Sequence, residues 1–150
     1  MTAQNRRRAL MGQAGEVPWE DISSQLLLKD FSNGTGTSKS YNSTSNTLRV
    51  YTASNGTYRS VYHRWTSTTG YEYKAECDVS YVKGKIKLQI SKENNSTIKS
   101  MATRTSSGHA EFLFSHNAEI AFFRLFVTWD TSEAGDATFS NLKLYRRPVT

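Results

Sequence analysis

The chain has 150 residues, of which 37% are hydrophobic and 21% are charged, with a formal net charge of +6. This length suffices for one domain with its own hydrophobic core, and no run of about 18 apolar residues is present to span a membrane. The single cysteine, Cys77, excludes an intramolecular disulfide and is predicted to be a small buried hydrophobic residue.

The basic residues are concentrated at the two ends of the chain and do not form one patch within the periodic region. They include Arg6, Arg7, Arg8, Arg146 and Arg147. Basic and aromatic residues are not interleaved on one predicted face, so we expect no nucleic-acid partner. Because no apolar run is long enough to span a membrane, we expect no membrane partner.

The first 25 residues lack period-two alternation, and Pro18 would interrupt a helix. The start carries positive charge without a following apolar core, so it is not a secretory signal. We therefore predict an extended tail over residues 1–25 and a β domain over residues 26–150. The tail is either a disordered extension or a docking peptide that becomes ordered on a larger assembly. The docking hypothesis assigns contacts with a partner to Arg6, Arg7, Arg8, Trp19 and Ile22.

The next segments alternate between apolar runs and turn-forming residues. Residues 26–31 are predicted to be a first strand or its lead-in, and the Ser-, Thr-, Asn- and Gly-rich residues 32–46 a long polar loop. A strand around residues 48–51 precedes Asn55-Gly56, which predicts a hairpin with the strand over residues 57–65. Both faces of that returning strand carry aromatic residues, so its register is ambiguous.

Residues 70–90 carry the clearest alternation in the chain. Tyr71, Tyr73, Ala75, Cys77, Val79 and Tyr81 alternate with polar residues, and Ile86, Leu88 and Ile90 repeat the pattern after a turn. The period of two predicts two half-buried strands joined as an antiparallel hairpin. Its polar face either meets water or lines a polar cleft.

Four further strands are predicted in the C-terminal half. Ile98 and Met101 are candidate core contacts of a short strand, and residues 110–114 alternate again. Residues 120–129 are apolar at nearly every position, which is typical of a central strand covered on both faces by packing or by a ligand. The closing strand changes phase between Phe139 and Leu142, which predicts a β-bulge.

These elements predict an all-β fold, an antiparallel two-sheet jelly-roll sandwich with an extended N-terminal tail. An immunoglobulin-type sandwich is disfavoured because the Cys, Trp, Cys spacing is absent.

The sequence carries no catalytic motif, and its three histidines are scattered without ligand spacing. Glu72, Glu76 and Asp78 lie on one face of one strand, but a solvated charge ladder explains them as well as paired carboxylates do. We therefore predict a protein that is not an enzyme, with no catalytic residue, no cofactor and no metal site.

Sugar binding is better supported by the residue types. A carbohydrate site needs flat aromatic rings against the apolar face of the sugar, with polar groups around them for its hydroxyls. Eight tyrosines and three tryptophans are present, and the competing interpretation is that they pack across strands. The predicted glycan-binding residues are Tyr51, Tyr62, Trp65, Arg49, Arg64, Glu76 and Arg124.

The order of motifs resembles the jelly-roll carbohydrate-binding modules of families four and nine. It is carried by Gly70-Tyr71, Asp78-Val79, Gly84 to Ile90, Phe112 to Phe114, Arg124 to Trp129 and Asp136 to Leu144. The resemblance implies a jelly-roll fold, glycan binding and a structural calcium near the closing strand. Asn141 stands where that family usually has an acidic residue, so we predict no calcium site here.

The opening NRRRALMGQ is similar to the first residues of structural proteins of tailed bacteriophages. This second resemblance implies a non-catalytic virion component, assembled in the host cytoplasm as a tail, fibre or capsid-decoration protein. Its expected partners are other virion proteins, a cell-surface glycan and further copies of itself, with a trimer favoured. The alternative is a carbohydrate-binding module associated with a polysaccharide-degrading enzyme.

Overall fold

The computed structural model describes residues 17–52, 56–93, 96–115, 119–129 and 133–149. Within these ranges the chain forms eleven strands and two short 3-10 helical turns, Ser23–Gln25 and Leu28–Asp30. The strands are β1 Glu20–Asp21, β2 Ser32–Asn33, β3 Ser38–Asn42, β4 Thr47–Tyr51, β5 Arg59–Thr66, β6 Tyr71–Lys83, β7 Lys87–Lys92, β8 Thr97–Ser100, β9 Gly108–Ser115, β10 Ile120–Thr128 and β11 Asp136–Pro148. No helix in these ranges is long and apolar enough to cross a membrane.

The strands form two antiparallel sheets. The six-stranded sheet has the order β3-β4-β11-β6-β9, with β1 pairing to the end of β11 beyond β4. The five-stranded sheet has the order β2-β5-β10-β7-β8. The predicted all-β, two-sheet jelly-roll sandwich is confirmed, and its interior lies between the inward faces of the two sheets.

The core follows from the alternation in the sequence. Tyr73, Ala75 and Cys77 of β6 are all fully buried, as are Phe123 and Leu125 of β10 in the other sheet. Burial raises the pKa of the Cys77 thiol to about 12, so the side chain is a neutral packing group at physiological pH.

An aromatic cluster fills one part of this core and settles the register of β5. The Trp65 ring lies edge-on against Tyr73 and Phe123, with centroid distances of 4.9 and 5.4 Å. Trp65 is 5% exposed and therefore points inward, so Arg64 and Tyr62, which are one and three residues away from it along the strand, point outward.

Both predicted hairpins are wrong. β6 pairs with β9 and β11, whereas β7 pairs with β8 and β10 in the other sheet. In the same way β4 pairs with β3 and β11, and β5 pairs with β2 and β10. Alternation assigns side chains to faces, but it does not tell whether a turn returns the chain to the same sheet or carries it across to the other one. Asn55 of the proposed hairpin turn lies outside the described residues.

The chain crosses from β6 to β7 at Gly84, which has a φ of +95°. A Cβ atom at this position would overlap the carbonyl oxygen of Val127, to which the N–H of Lys85 donates a hydrogen bond of 3.0 Å. Glycine is therefore required both by the left-handed backbone and by the close approach of two chain segments.

The region before β4 also differs from the prediction. Residues 26–31 form no strand. Leu28 lies within a 3-10 turn, Leu26 and Phe31 lie next to such turns, and all three side chains are buried in the core. The predicted polar loop over residues 32–46 contains the edge strands β2 and β3. Edge strands with polar residues on the solvent side leave little apolar alternation in the sequence.

The sandwich begins before the predicted boundary at residue 26. Glu20 and Asp21 pair with Arg146 and Tyr145 of β11, and the N–H of Ile22 donates to the carbonyl oxygen of Leu144 at 2.8 Å. Ile22 is 6% exposed, so the docking role predicted for it is corrected to a core contact within its own chain.

The remaining docking residues have different positions. The half-buried Trp19 lies under two basic side chains, with Lys74 Nζ 5.1 Å and the Arg147 guanidinium carbon 4.3 Å from its ring centroid. Arg6, Arg7 and Arg8 lie outside the described residues.

The bulge predicted in the closing strand is confirmed. The register of β11 against β6 shifts between Ser140 and Lys143, and Asn141 has a φ of +50°. The extra residue brings both Phe139 and Leu142 to the core side, where they are buried.

Candidate functional site

The outward face of the five-stranded sheet holds a cleft of about 370 Å³. It is lined by Tyr58, Ser60, Gln89, Thr97, Arg124, Phe126 and Trp129. The central strand β10 explains this composition: Ala121, Phe123, Leu125 and Val127 face the core, whereas Phe122, Arg124 and Phe126 face outward. The strand is apolar at nearly every position because one of its faces packs in the core and the other lines the cleft.

Strand register places the outward side chains in rows across the sheet. Arg124 of β10 stands between Tyr62 of β5 and Gln89 of β7. Phe122 stands between Arg64 and Ser91 in the next row, and Phe126 stands between Ser60 and Lys87 in the row on the other side. Neighbouring strands are about 4.8 Å apart, so each row brings three side chains together over roughly 10 Å.

Aromatic rings lie at both ends of this face. At one end, Trp129 makes edge-to-face contacts with Tyr58 at 5.1 Å and with Phe126 at 4.7 Å between centroids. At the other end, Tyr62 and Phe122 meet edge-to-face at 5.9 Å. Tyr58 is 61% exposed, so its ring is accessible to a ligand. Edge-to-face packing holds these rings in defined orientations.

Arg124 lies between the two aromatic groups. Its Nε donates a hydrogen bond of 3.0 Å to Ser91 Oγ, and its guanidinium carbon is 5.5 Å from the Tyr62 ring centroid and 5.3 Å from that of Phe122. Burial lowers the pKa of the Arg124 guanidinium, because the charged form loses hydration. An arginine stays charged at neutral pH even so.

Gln89 supplies a buried acceptor beside Arg124. The residue is 4% exposed, and among the described residues its Oε1 has no hydrogen-bond partner. A buried carbonyl oxygen left without a partner costs about 1–3 kcal/mol. Rotation of the amide toward a ligand hydroxyl in the cleft would remove this cost.

The seven residues predicted for glycan binding do not form one site. Tyr62, Arg64 and Arg124 lie on the outward face that holds the cleft. Trp65 is in the core, where its Nε1 donates to Gln25 Oε1 at 3.0 Å, so its predicted contact with a sugar is corrected to a packing role. The sequence does not fix the register of β5, and burial assigns Trp65 to the core side.

Arg49, Tyr51 and Glu76 belong to the six-stranded sheet and point away from the cleft, on its outward face. Arg49 forms a bidentate pair with Asp136, at 3.0 Å from Nε and 2.7 Å from Nη2, and its guanidinium carbon is 4.3 Å from the Tyr51 ring centroid. Arg49 and Asp136 thus form a surface ion pair, and Arg49, Tyr51 and Glu76 all lie on a different sheet from Tyr62 and Arg124.

The sequence analysis missed Gln89, Phe126, Trp129 and Tyr58, all of which line the cleft. One signal could have found Phe126: in residues 120–129 the aromatic residues occur on both parities of the strand, although only one parity can face the core. Gln89, a polar residue between Leu88 and Ile90, carries a weaker signal of the same kind.

The outward face of the six-stranded sheet carries a polar network around Asp78. His109 Nδ1 lies 2.7 Å from Asp78 Oδ1, and Asn141 Nδ2 donates to Asp78 Oδ2 at 2.7 Å. The hydrogen bonds from Asn141 and from His109 lower the pKa of Asp78, and the hydrogen bond to Asp78 raises the pKa of His109.

The possible metal-ligand atoms of Glu76, His109 and Glu111 lie within 4.8 Å of one another, close enough to hold a metal ion. His109 and Glu111 are open to solvent, and Asp78 already engages His109, so a solvated charge network accounts for the group.

No protein-family model and no curated protein matches the sequence. Solved structures do match. A CBM4 carbohydrate-binding module aligns at a TM-score of 0.60 and 11% identity over 75% of this chain and 79% of that one. The CBM22-1 xylan-binding domain of Paenibacillus barcinonensis Xyn10C aligns at 0.58 and 7% identity over 91% and 100% of the two chains.

A third structure is the carbohydrate-binding module CBM6cm-2 of Cellvibrio mixtus lichenase 5A in complex with cellotriose, at a TM-score of 0.50 and 12% identity over 83% and 95%. At these identities the similarity shows a shared fold. The chain therefore has the jelly-roll β-sandwich found in carbohydrate-binding modules, as the first resemblance implied. None of these three structures supports the phage resemblance.

Proposed function

We propose that this chain is a non-catalytic glycan-binding module and that the cleft on the five-stranded sheet is its binding site. One observation carries the proposal: two groups of aromatic rings flank the half-buried Arg124 and the unpartnered, buried Gln89 Oε1 on a single open face. Aromatic rings suit the apolar face of a sugar, and the guanidinium and amide suit its hydroxyl groups.

The length of the site favours an oligosaccharide over a single sugar. Phe122 and Phe126 are four residues apart on β10, which corresponds to about 13 Å along the strand. The fold neighbours support a saccharide ligand, because one is a xylan-binding domain and another is in complex with cellotriose. They favour the binding-module alternative over the virion hypothesis.

The absence of catalysis is part of the proposal. Hydrolysis of a glycosidic bond ordinarily needs two carboxylates flanking that bond. The described residues that line the cleft include no Asp or Glu.

Binding of soluble polysaccharides, measured by affinity electrophoresis and calorimetry, tests the proposal. Trp129→Ala and Tyr62→Ala each remove one ring at one end of the face, and we expect each to weaken binding roughly tenfold. Tyr51→Ala removes a ring from the other sheet and serves as the matched control, with binding unchanged. Unchanged thermal melts would show that the variants fold. Full binding by both Trp129→Ala and Tyr62→Ala, or loss of binding in Tyr51→Ala, would refute this location of the site.

Display on a virion assembled in the host cytoplasm is a separate proposal that rests on the similarity of residues 5–13 to phage structural proteins. It predicts that replacing Arg6, Arg7 and Arg8 by Ala abolishes incorporation into particles without changing glycan binding. It also predicts a homo-oligomer, with a trimer favoured, in sedimentation of the full chain. If the chain is monomeric and the triple variant is incorporated into particles normally, the virion proposal is wrong. The glycan-binding proposal would be unaffected by that result.

A further inference from the structure

We propose that the cleft selects acidic glycans, in which sugar rings carry carboxylate groups as in uronic acids. This inference rests on the proposed function and assigns its class of ligand. It starts from the charges on the outward face of the five-stranded sheet.

The outward positions of the three central strands of the five-stranded sheet carry positive charge. Lys87 of β7, Arg124 of β10 and Arg64 of β5 point to this side, and no described outward position of these strands holds Asp or Glu. The carboxylates within the paired strands all lie on the other sheet, together with cations such as Arg49, Lys74 and Arg147: Glu20, Asp21, Glu72, Glu76, Asp78, Glu111 and Asp136. A face with one sign of charge and concave walls attracts ligands of the opposite sign.

Two of the cations are placed where a bound sugar would meet them. Lys87 Nζ is 3.9 Å from the Trp129 ring centroid, and Arg124 lines the cleft next to Gln89. The ammonium lies over one face of the ring, so a sugar bound at Trp129 would meet this charge at the ring, with a guanidinium on the neighbouring strand. The Nε bond to Ser91 Oγ fixes the plane of that guanidinium.

The choice between a neutral and an acidic ligand follows from hydration. The Arg124 guanidinium is partly buried and has lost part of its hydration. A neutral sugar hydroxyl forms only an ordinary hydrogen bond with it. A carboxylate forms charge-assisted and often bidentate bonds with a guanidinium, which are roughly twice as strong. An acidic sugar therefore offsets the lost hydration better than a neutral one does.

Single-stranded nucleic acid is the competing anionic ligand, because it binds where aromatic and basic side chains alternate. Such alternation, which the sequence analysis did not predict, is present on this face: Tyr62, Phe122 and Phe126 adjoin Arg64, Arg124 and Lys87. We favour the glycan because the lining is a compact cleft with a buried amide acceptor, whereas a strand of nucleic acid needs a basic groove that follows its backbone.

The test compares acidic polysaccharides with their uncharged methyl esters. Polygalacturonate and alginate, each beside its methyl ester, are titrated with the full-length protein, together with neutral xylan and an oligothymidylate. We expect the acidic form of at least one pair to bind at least tenfold more tightly than its ester at low salt. The preference should shrink as salt screens the charges.

The variants assign that preference to the cleft. Arg124→Gln and Lys87→Gln should each reduce the preference for the acid over the ester by several-fold while binding of the ester persists. Arg49→Gln removes the same charge from the other sheet and should leave the preference unchanged. Thermal melts check that each variant is folded, and two independent cleft variants keep the test valid if one of them fails to fold.

The outcomes separate this inference from the proposed function. If xylan or the esters bind as tightly as the acids, and Trp129→Ala weakens that binding, the cleft is a glycan site and the acidic preference is wrong. If no saccharide binds, both proposals fail. Tighter binding of oligothymidylate than of any uronate, lost in Arg124→Gln, would replace the glycan with nucleic acid.

Discussion

The indole Nε1 of Trp65 donates a hydrogen bond of 3.0 Å to Oε1 of Gln25, which joins the segment before β2 to the centre of the core. The contact spans forty positions of sequence. With the pairing of β1 to β11, it makes residues 20–25 a structural part of the sandwich and not a separable tail.

Replacing Ile22 tests this attachment. Ile22 is 6% exposed, and Ile22→Ala should lower the free energy of unfolding by about 2–5 kcal/mol because it leaves a cavity in the core. Leu27→Ala is the matched control, since Leu27 is 38% exposed, and it should change stability by less than about 1 kcal/mol. Urea denaturation measures both, and equal effects of the two variants would contradict the assignment of residue 22 to the core.

Trp65 and Tyr62 should separate stability from binding. Trp65→Ala removes a ring packed against Tyr73 and Phe123 and is expected to cost about 3–5 kcal/mol of stability. Tyr62→Ala removes an outward ring and should leave the fold near its original stability while it weakens glycan binding. Thermal melts and glycan titrations of both variants check this. A Trp65→Ala protein that kept its stability and lost only binding would show that Trp65 is a surface contact for the ligand and not a core residue.

The sequence predicts which residues are buried more reliably than which strands pair. Alternation in β6 and β9 assigns Tyr73, Val79 and Phe112 to the core correctly. The same pattern cannot identify neighbours, because each strand presents two edges whose backbone groups are alike whatever the side chains. This is why the hairpins predicted from local turn signals were wrong while the sandwich was confirmed.

The site was harder to predict for a related reason. Arg124 and Tyr62 were chosen from residue type, and register places them side by side. Arg49 and Glu76 have the same chemistry but lie on the other sheet, and this assignment depends on pairings that run across the whole chain. Gln89 becomes a candidate only when its burial without a partner is known.

The hydrogen bond between Asp78 and His109 predicts a pH dependence of stability. The pKa of His109 is raised above its ordinary value of 6.5, so its stabilising contribution is complete below 6.5 and is lost as the pH rises through the raised value. The pKa of Asp78 is lowered below 3.8, so its contribution is present above 3.8 and is lost as the pH falls through the lowered value. The pair stabilises most between 3.8 and 6.5.

NMR titration of the His109 ring measures the effect directly. Asp78→Asn should lower the pKa of His109, because the hydrogen bond to Asp78 is the largest cause of its shift. Glu111→Gln removes a carboxylate whose Oε1 is 3.9 Å from His109 Nε2 and which interacts more weakly with the ring than Asp78 does. This variant should lower the pKa of His109 less. The contribution to stability is small, since both partners are exposed to solvent. A larger change in Glu111→Gln than in Asp78→Asn would overturn the pairing.

Two glycines with nearly the same φ angle should respond differently to a methyl group. Gly84 has a φ of +95° and Gly70 a φ of +93°, so alanine at either position incurs left-handed strain of roughly 1–2 kcal/mol. At Gly70 a Cβ meets nothing within 4 Å, whereas at Gly84 it would overlap the Val127 carbonyl oxygen and lie 2.8 Å from the Cα of Gly135. Gly84→Ala should therefore cost about 1–3 kcal/mol more than Gly70→Ala. Urea denaturation gives both values, and equal losses would show that the crossing from β6 to β7 is not tightly packed.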